Sequence, residues 1–403
     1  MPTVVLVGTL DTKGVEYAFL RDRLAEHGVD VLLVDAGIHE PVGAEPDIGR
    51  AEVARAAGAD VAELAAAGDR GAAVTAMGEG AEQVVRRLHA EGRLDGILAL
   101  GGSGGSSIAT RAMRALPVGV PKLMVSTVAS GDTRPYVGAV DVTMMYSVVD
   151  IAGVNRVSAR IMANAAGAIA GMVGATVPEL EEKPLVGATM FGVTTPCVTR
   201  ARERLEELGY EVLVFHATGA GGQSLEALVR DGFLAGVLDT TTTELADELV
   251  GGVLSAGPDR LEAAGAAGVP QVVSLGALDM VNFGPRETVP PRFEGRNIYV
   301  HNPTVTLMRT TPEECAELGR RIGEKLSAAT GPTALFVPLG GVSMIAVEGQ
   351  PFHDRAADEA LFGALRESVG DTVETHELET DVNDPAFAVA MADRLHELIQ
   401  ERR

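Results

Sequence analysis

The sequence predicts an α/β protein built from two Rossmann-like subdomains, each a doubly wound and mostly parallel sheet, with a cleft between them. Three observations predict this. Apolar runs of four to six residues alternate with segments of helical periodicity. The first half reads "VVLV", "DVLLVD" to Asp35, "GILAL" to Leu100 and "KLMVS" to Ser126, and the second restarts with "LVGATMFGVTTP", "EVLVFHATG", "AGVLDTTT" and "QVVSLG". The halves also align as copies: Gly28 faces Gly209 at an offset of 181, and Gly92 faces Gly232 at an offset of 140. The first half therefore carries about 41 more residues between Gly37 and Gly80, where "AEVARAAGADVAELAAAG" reads as an inserted helical segment. The Pro-flanked acidic stretch "ATVPELEEKP", residues 175–184, reads as a linker, which gives subdomains 1–178 and 179–403.

The first strand, Val4 to Val7, is β-branched and apolar, as a strand buried on both faces should be, and Gly8 bounds it. Tyr17, Leu20 and Leu24 then recur at helical spacing, and Gly28 closes that helix. Between them lie Gly8, Thr9, Asp11, Thr12 and Lys13. A strand, a Gly-bounded turn and a helix N-terminus make an anion site, because orphan amides and the helix dipole favour negative charge and Lys13 adds a point charge. Lys13 is one of only four lysines among 33 Lys and Arg. The loop matches neither G-x-x-x-x-G-K-[ST] nor G-x-G-x-x-G, so an ordinary turn with Thr or Asp as cap is the competing reading.

Asp35 closes the second strand, where a carboxylate can accept from ribose hydroxyls. The third strand enters Gly101, Gly102, Ser103, Gly104, Gly105 and Ser106. Four glycines in five positions remove Cβ atoms where a polyanion approaches, and the serines can donate. The fourth strand ends in "VSTVASGDTRPYVG", with Ser126, Thr127, Ser130, Gly131 and Asp132. Three successive polar strand ends are expected to converge on one phosphorylated ligand. The matching loop of the second half, "DTTTTE" from Asp239 to Glu244, has no glycine and adds carboxylates, so its phosphate site is expected to be lost. The Gly- and Ala-rich run from Ile161 to Val177 places Gly167 and Gly171 four apart, a face that another backbone can approach within the core or across a dimer axis. Polar loops around His301, Asn302, Arg309, Ser343 and His353 are expected to meet a second substrate or to join subunits.

A formal net charge of -23 argues against a nucleic-acid or anionic-membrane partner. Two cysteines, Cys197 and Cys315, cannot make a disulfide framework or a Cys-rich zinc site, and the scattered histidines give no metal site. Cys197 follows Thr195 and Pro196 at a helix start that would lower its pKa, yet reads more simply as a small buried residue. With no basic leader and no membrane-spanning run, a cytoplasmic protein is expected. No G-x-S-x-G elbow or kinase signature is present.

The segments "GTLDTKG", "GGSGGS", "STVASGDTRPYVG", "YSVVDIAGVN", "HNPTVTLMRTTPEE" and "PLGGVSM" with "EGQPFHD" are collinear and span nearly the whole chain. Together they resemble the largely uncharacterised bacterial, fungal and plant family that includes the N-terminal domain of the tomato mosaic virus resistance protein. The resemblance implies a two-subdomain Rossmann-like fold, ATP binding in the N-terminal half, with or without Mg, and a homodimer. It implies no particular reaction. Three readings stay open: an ATP-dependent enzyme acting on a small metabolite in the cleft, a non-catalytic nucleotide-binding module with a protein-interaction surface, and an NAD-type oxidoreductase. Asp35 speaks for the last, and the missing G-x-G-x-x-G speaks against it.

Overall fold

The computed structural model describes residues 1–176 and 182–402. The chain divides into two compact units, Met1–Glu179 and Leu180–Arg403. Residues 177–181 of the expected linker lie outside the described residues.

In the first unit the chain runs β1 (Thr3–Gly8), α1 (Leu10–Glu26), β2 (Asp30–Asp35), α2 (Arg50–Ala56), α3 (Val61–Ala67), α4 (Arg70–Ala90) and β3 (Gly96–Gly101). It continues through α5 (Ser103–Arg114), β4 (Lys122–Ser126), α6 (Arg134–Val137), β5 (Thr143–Tyr146) and α7 (Arg156–Val173). The strands pair in parallel in the order β2-β1-β3-β4-β5. Because successive side chains of a strand point to opposite faces, β1 feeds two cores. Val4 and Leu6 join Tyr17, Leu20 and Leu24 of α1 and Ile169 of α7. Val5 and Val7 join Met77 and Val84 of α4 and Ile108 and Met113 of α5. Both faces are thereby covered, which is why β1 reads as an unbroken apolar run.

The inserted segment is α2, α3 and the lengthening of α4. That helix has 21 residues, whereas its counterpart in the second unit has 11. α7 starts at a capping box, the Asn155 side chain accepting from the Val157 and Ser158 amides. A Cβ added at Gly167 would meet the His27 ring at 3.6 Å, whereas one at Gly171 meets nothing within 4 Å.

In the second unit the chain runs β6 (Leu185–Met190), α8 (Thr195–Glu207), β7 (Glu211–His216), α9 (Ala220–Arg230), β8 (Gly236–Thr241), α10 (Thr243–Val250), α11 (Ala263–Ala266) and β9 (Gln271–Gly276). An antiparallel ribbon follows, β10 (Met280–Phe283), β11 (Ile298–Asn302) and β12 (Val305–Arg309), in the order β10-β12-β11. Last come α12 (Pro312–Ser327), β13 (Thr333–Pro338), α13 (Arg355–Ser368), β14 (Glu374–Leu378) and α14 (Pro385–Arg402). The main sheet is parallel with the order β14-β13-β9-β8-β6-β7. Its run β7-β6-β8-β9 repeats β2-β1-β3-β4. The pair β2 and β7 starts 181 residues apart and the pair β3 and β8 starts 140 apart, so the duplication read from the sequence is present strand for strand. Among the described residues no helix is long and apolar enough to cross a membrane.

Candidate functional site

In the order β2-β1-β3 the chain leaves β1 on one side and returns on the other. The loops after β1 and β3 therefore diverge at the carboxyl end of the sheet and leave a crevice. A cavity of about 400 Å³ opens there. Thr9, Asp11 and Thr12 line it after β1, Gly37, Ile38 and His39 after β2, and Gly104, Gly105 and Ile108 from α5. The inserted segment closes it with Ala65, Gly68, Arg70, Val74 and Met77.

The floor is tied from below. The Tyr17 hydroxyl donates to Val7 O at 2.6 Å and accepts from Leu100 N at 2.9 Å, joining β1 to β3. Burial raises its pKa, so it stays protonated. A Cβ on Gly8 would sit 2.0 Å from the Tyr17 ring, so Gly8 serves this packing. Asp35 is wholly buried, its Oδ1 accepting from Leu10 N at 3.2 Å and Gly37 N at 2.9 Å, while its Oδ2 has no partner. Burial raises its carboxyl pKa above the usual range. It anchors the start of α1 to the loop after β2 and is not among the lining residues. Asp11 is, with Oδ2 accepting from the Ile38 and His39 amides and Oδ1 buried without a partner.

Lys13 is placed elsewhere. One turn into α1 its side chain turns toward the segment between β5 and α7, and its ammonium donates to the Ile151 carbonyl. Glu16 takes the Gly153 amide at 2.6 Å beside it. The two residues fasten that segment, and the expected point charge for phosphate is not among the cavity's lining residues.

The glycine-rich loop divides its work. A Cβ at Gly101 would lie 3.1 Å from Gly105 Cα, so Gly101 permits close packing. Gly102 is the N-cap of α5, no side chain caps that terminus, and Ser103 is exposed. Gly104 and Gly105 face the cavity, and a Cβ at Gly104 would stand 3.5 Å from Arg70 Nη2 and 3.7 Å from Val74. Ser106 and Ser126 are buried with their hydroxyls 2.7 Å apart, fixing α5 to β4. Thr127 Oγ1 lies 3.7 Å from the Cβ position of Gly102. Ser130, Gly131 and Asp132 form an exposed turn outside the cavity lining. There Arg134 grips Asp132 and holds its carboxyl down at about 2.

The cation at the cavity is Arg70, which the sequence reading did not single out. It is the first residue of α4, exposed, and its guanidinium has no partner among the described residues. Only the length of the insertion pointed to it. Asp11 and Asp69 stand in the same lining, so the cavity is not electropositive overall.

The second unit fills the corresponding place with its own side chains. Glu244 Oε1 accepts from the Gly219 and Gly222 amides at 2.7 and 3.0 Å, and Oε2 accepts from Arg260 Nε at 2.7 Å. Arg260 also donates to both oxygens of Asp239, at 2.5 and 2.7 Å. Farther along, Arg309 pairs with Asp358 at 2.6 Å and Ser343 donates to Asp279 at 2.8 Å, both in the interior, while His301, Asn302 and His353 are exposed. Burial pushes the Cys197 thiol up to about 12 and Cys315 up to about 11, so the helix start at Cys197 does not produce a thiolate. Among the described residues no group of three or more His, Cys, Asp or Glu is placed to hold a metal ion.

Models of the uncharacterised protein family UPF0261 match this chain twice, the N-terminal domain over residues 2–178 and the C-terminal domain over residues 183–399. A UPF0261 protein of Clostridium tetani is 55% identical over 99% of both chains. The ToMV resistance protein Tm-1(GCR237) of Solanum lycopersicum is 44% identical over 83% of this chain, a region that is 45% of that protein. Among solved structures, UDP-N-acetylglucosamine 2-epimerase from Rickettsia bellii covers 100% of this chain and 96% of its own at 10% identity, with a TM-score of 0.23. That likeness has no bearing on function.

Proposed function

Since the chain belongs to the uncharacterised protein family UPF0261, we propose that its first unit binds ATP in the cavity at the ends of β1, β2 and β3. One observation carries the reading: a cavity of nucleotide-sized reach, about 400 Å³, opens onto the uncapped start of α5, where Gly104 presents no side chain and Arg70 stands free. Ile38, Val74, Met77 and Ile108 offer an apolar wall for a base. The unpartnered Oδ1 of Asp11 suits a hydroxyl or amino donor of the ligand, or its bound Mg. With Asp11 and Asp69 opposing Arg70, ATP enters more readily as its magnesium complex than as the free anion.

Whether bound ATP is consumed separates two uses of the site: an enzyme acting on a second small molecule, and a nucleotide-stabilised interaction module. The likeness to a plant protein named for virus resistance favours the second. An NAD-type oxidoreductase is the weaker alternative, because Asp35 lies beneath the floor with one oxygen already shared between two amides. A cytoplasmic homodimer, joined near α7, completes the proposal.

The test is calorimetric titration and thermal melting with ATP, ADP, adenosine and NAD, each with and without magnesium. A ligand at 100 times its Kd stabilises the folded state by about 2.7 kcal/mol. Stabilisation by ATP supports the reading, and stabilisation by NAD alone replaces it. Light scattering that returns the 41.8 kDa monomer mass at micromolar concentration removes the dimer.

A further inference from the structure

We propose that residues 251–257 form a proton-operated strap in the second unit: neutral Asp247 keeps it closed along the outer edge of β10, and loss of that proton lets it open. β10 is an end strand of the antiparallel ribbon, so no strand pairs with its outer side. The strap takes that place. Val253 N donates to Asn282 O at 2.9 Å, and Leu254 N donates to Asp247 Oδ1 at 3.3 Å. Gly251 and Gly257, with φ of 92° and 93°, bound the strap as backbone hinges. Gly252 lies directly on the carboxylate, since a Cβ there would stand 1.7 Å from Asp247 Oδ1. With the strap closed, Asp247 is wholly buried.

What the strap buries is a carboxylate without a cation. Among the other acids buried in the second unit, Glu226, Asp239 and Glu244 share Arg260, Asp358 pairs with Arg309, and Asp279 lies in the field of Arg309. Asp247 meets neutral donors only: the backbone amide of Asn282 at 3.0 Å, Asn282 Nδ2 at 2.6 Å, and Leu254 N. β10 and the strap carry no titratable side chain. α10 adds Glu244, already held by Arg260, and Glu248, which takes the Ser255 hydroxyl. α12 meets α10 through the apolar core, with Leu318 and Ile322. Arg292 is exposed and donates to Val250 O at 3.4 Å. Asp247 also sits in the last turn of α10, where the carbonyl end of the helix disfavours negative charge. The neutral form is provided for, because turning the Asn282 amide brings its Oδ1, buried without a donor, to the Asp247 proton. Burial, with Glu244 adding to it, accordingly lifts the carboxyl to about 7. An open strap hydrates the group and returns it to the ordinary carboxylate range, so the closed form holds the proton more tightly. Closure is therefore firmest below about pH 4 and weakens by up to about tenfold per unit as the pH rises to about 7. Release frees the Asn282 carbonyl at the sheet edge.

Hydrogen exchange of the full chain, followed by mass spectrometry at pH 5 and pH 7 and corrected for the intrinsic rate at each pH, reads the opening. Peptides across residues 251–257 should show an opening constant about 10-fold to 100-fold larger at pH 7 than at pH 5. In Asp247→Asn, which keeps a neutral side chain at both pH values, that rise should vanish. The native chain decides by itself if the variant fails to fold, because opening of the strap alone is insensitive to about 0.5–1 M urea, whereas β8 exchanges faster in it. A strap rate that follows β8 in urea, that does not rise with pH, or that rises equally in Asp247→Asn overturns the proposal.

Discussion

Replacing Arg260 by methionine should unfold the second unit under conditions the native chain tolerates. The guanidinium is fully buried and donates to Glu244 at 2.7 Å, to Asp239 at 2.5 and 2.7 Å, and to Glu226 at 3.4 Å. Methionine fills much of the volume and answers none of the three carboxylates. They are not equally exposed to the loss. Glu244 keeps two amides and Glu226 keeps the amides of Leu261 and Ala263, whereas Asp239 keeps only the Thr189 hydroxyl at 2.7 Å. Removing one partner of a buried ion pair costs about 3–5 kcal/mol, a large part of a typical domain's stability. The orphaned carboxyls can escape by taking protons in the folded state, which lifts their folded pKa above the unfolded value. Stability of Arg260→Met should therefore fall as pH rises from about 4 to 8. Because the chain has no tryptophan, urea unfolding is best followed by far-UV circular dichroism, at pH 5 and pH 8. A loss below about 1 kcal/mol, or an equal loss at both pH values, would refute the idea that the three carboxylates depend on this one guanidinium for charge balance.

Gly104→Val should leave the fold intact, because its Cβ meets nothing closer than 3.5 Å, and should abolish ATP binding in calorimetry. Undiminished affinity would make the glycine a packing residue. Lys13→Ala should cost about 1.5–3 kcal/mol of stability through the lost charged hydrogen bond to Ile151 O while leaving the ratio of ATP to adenosine affinity unchanged. A loss specific to ATP would return the ammonium to the ligand. Burial lifts the Asp247 carboxyl to about 7, so its folded pKa lies above the unfolded one and its contribution falls as pH rises from about 4 to 7. Asp247→Asn should flatten that slope, which approaches about 1.4 kcal/mol per pH unit, because the Asn282 amide can turn its unpartnered Oδ1 toward the new donor. An unchanged pH dependence in urea titrations would exclude Asp247 as its source.

The sheet cores were legible because a strand covered on both faces is apolar through its middle, as Val4–Val7 of β1 and Ile97–Leu100 of β3 are, with polar residues gathered at the strand ends elsewhere, such as Asp35 of β2 and Ser126 of β4. Glycines at fixed offsets then exposed the duplication and the insertion. Partners far apart in sequence were not legible. Lys13 meets a carbonyl 138 residues away, and no local pattern announces it. Ser106 and Ser126 looked like donors to a ligand but satisfy each other, because one sits on the buried face of α5 and the other inside β4. Arg70 was hidden for the opposite reason. A charged residue opening a helix is ordinary, and only the neighbouring strand ends make it a wall of the cavity.

The cavity's two walls also differ in how firmly they are made. β3 is buried at every residue and is riveted to β1 through Tyr17, whereas α3 has no buried residue. α3 is held by the Asp60 cap at its start and by a left-handed Gly68 at its end. A seven-residue helix anchored only by the half-buried Val61 and Leu64 opens locally at less free-energy cost than the strands, which open only with the whole unit. The clock of the site is therefore set on one side. On the proposed reading a ligand would come and go as Val61–Ala67, which contributes Ala65 to the lining, opens and closes, and hydrogen exchange on α3 should slow on addition of ATP while β1 and β3 keep the same rate.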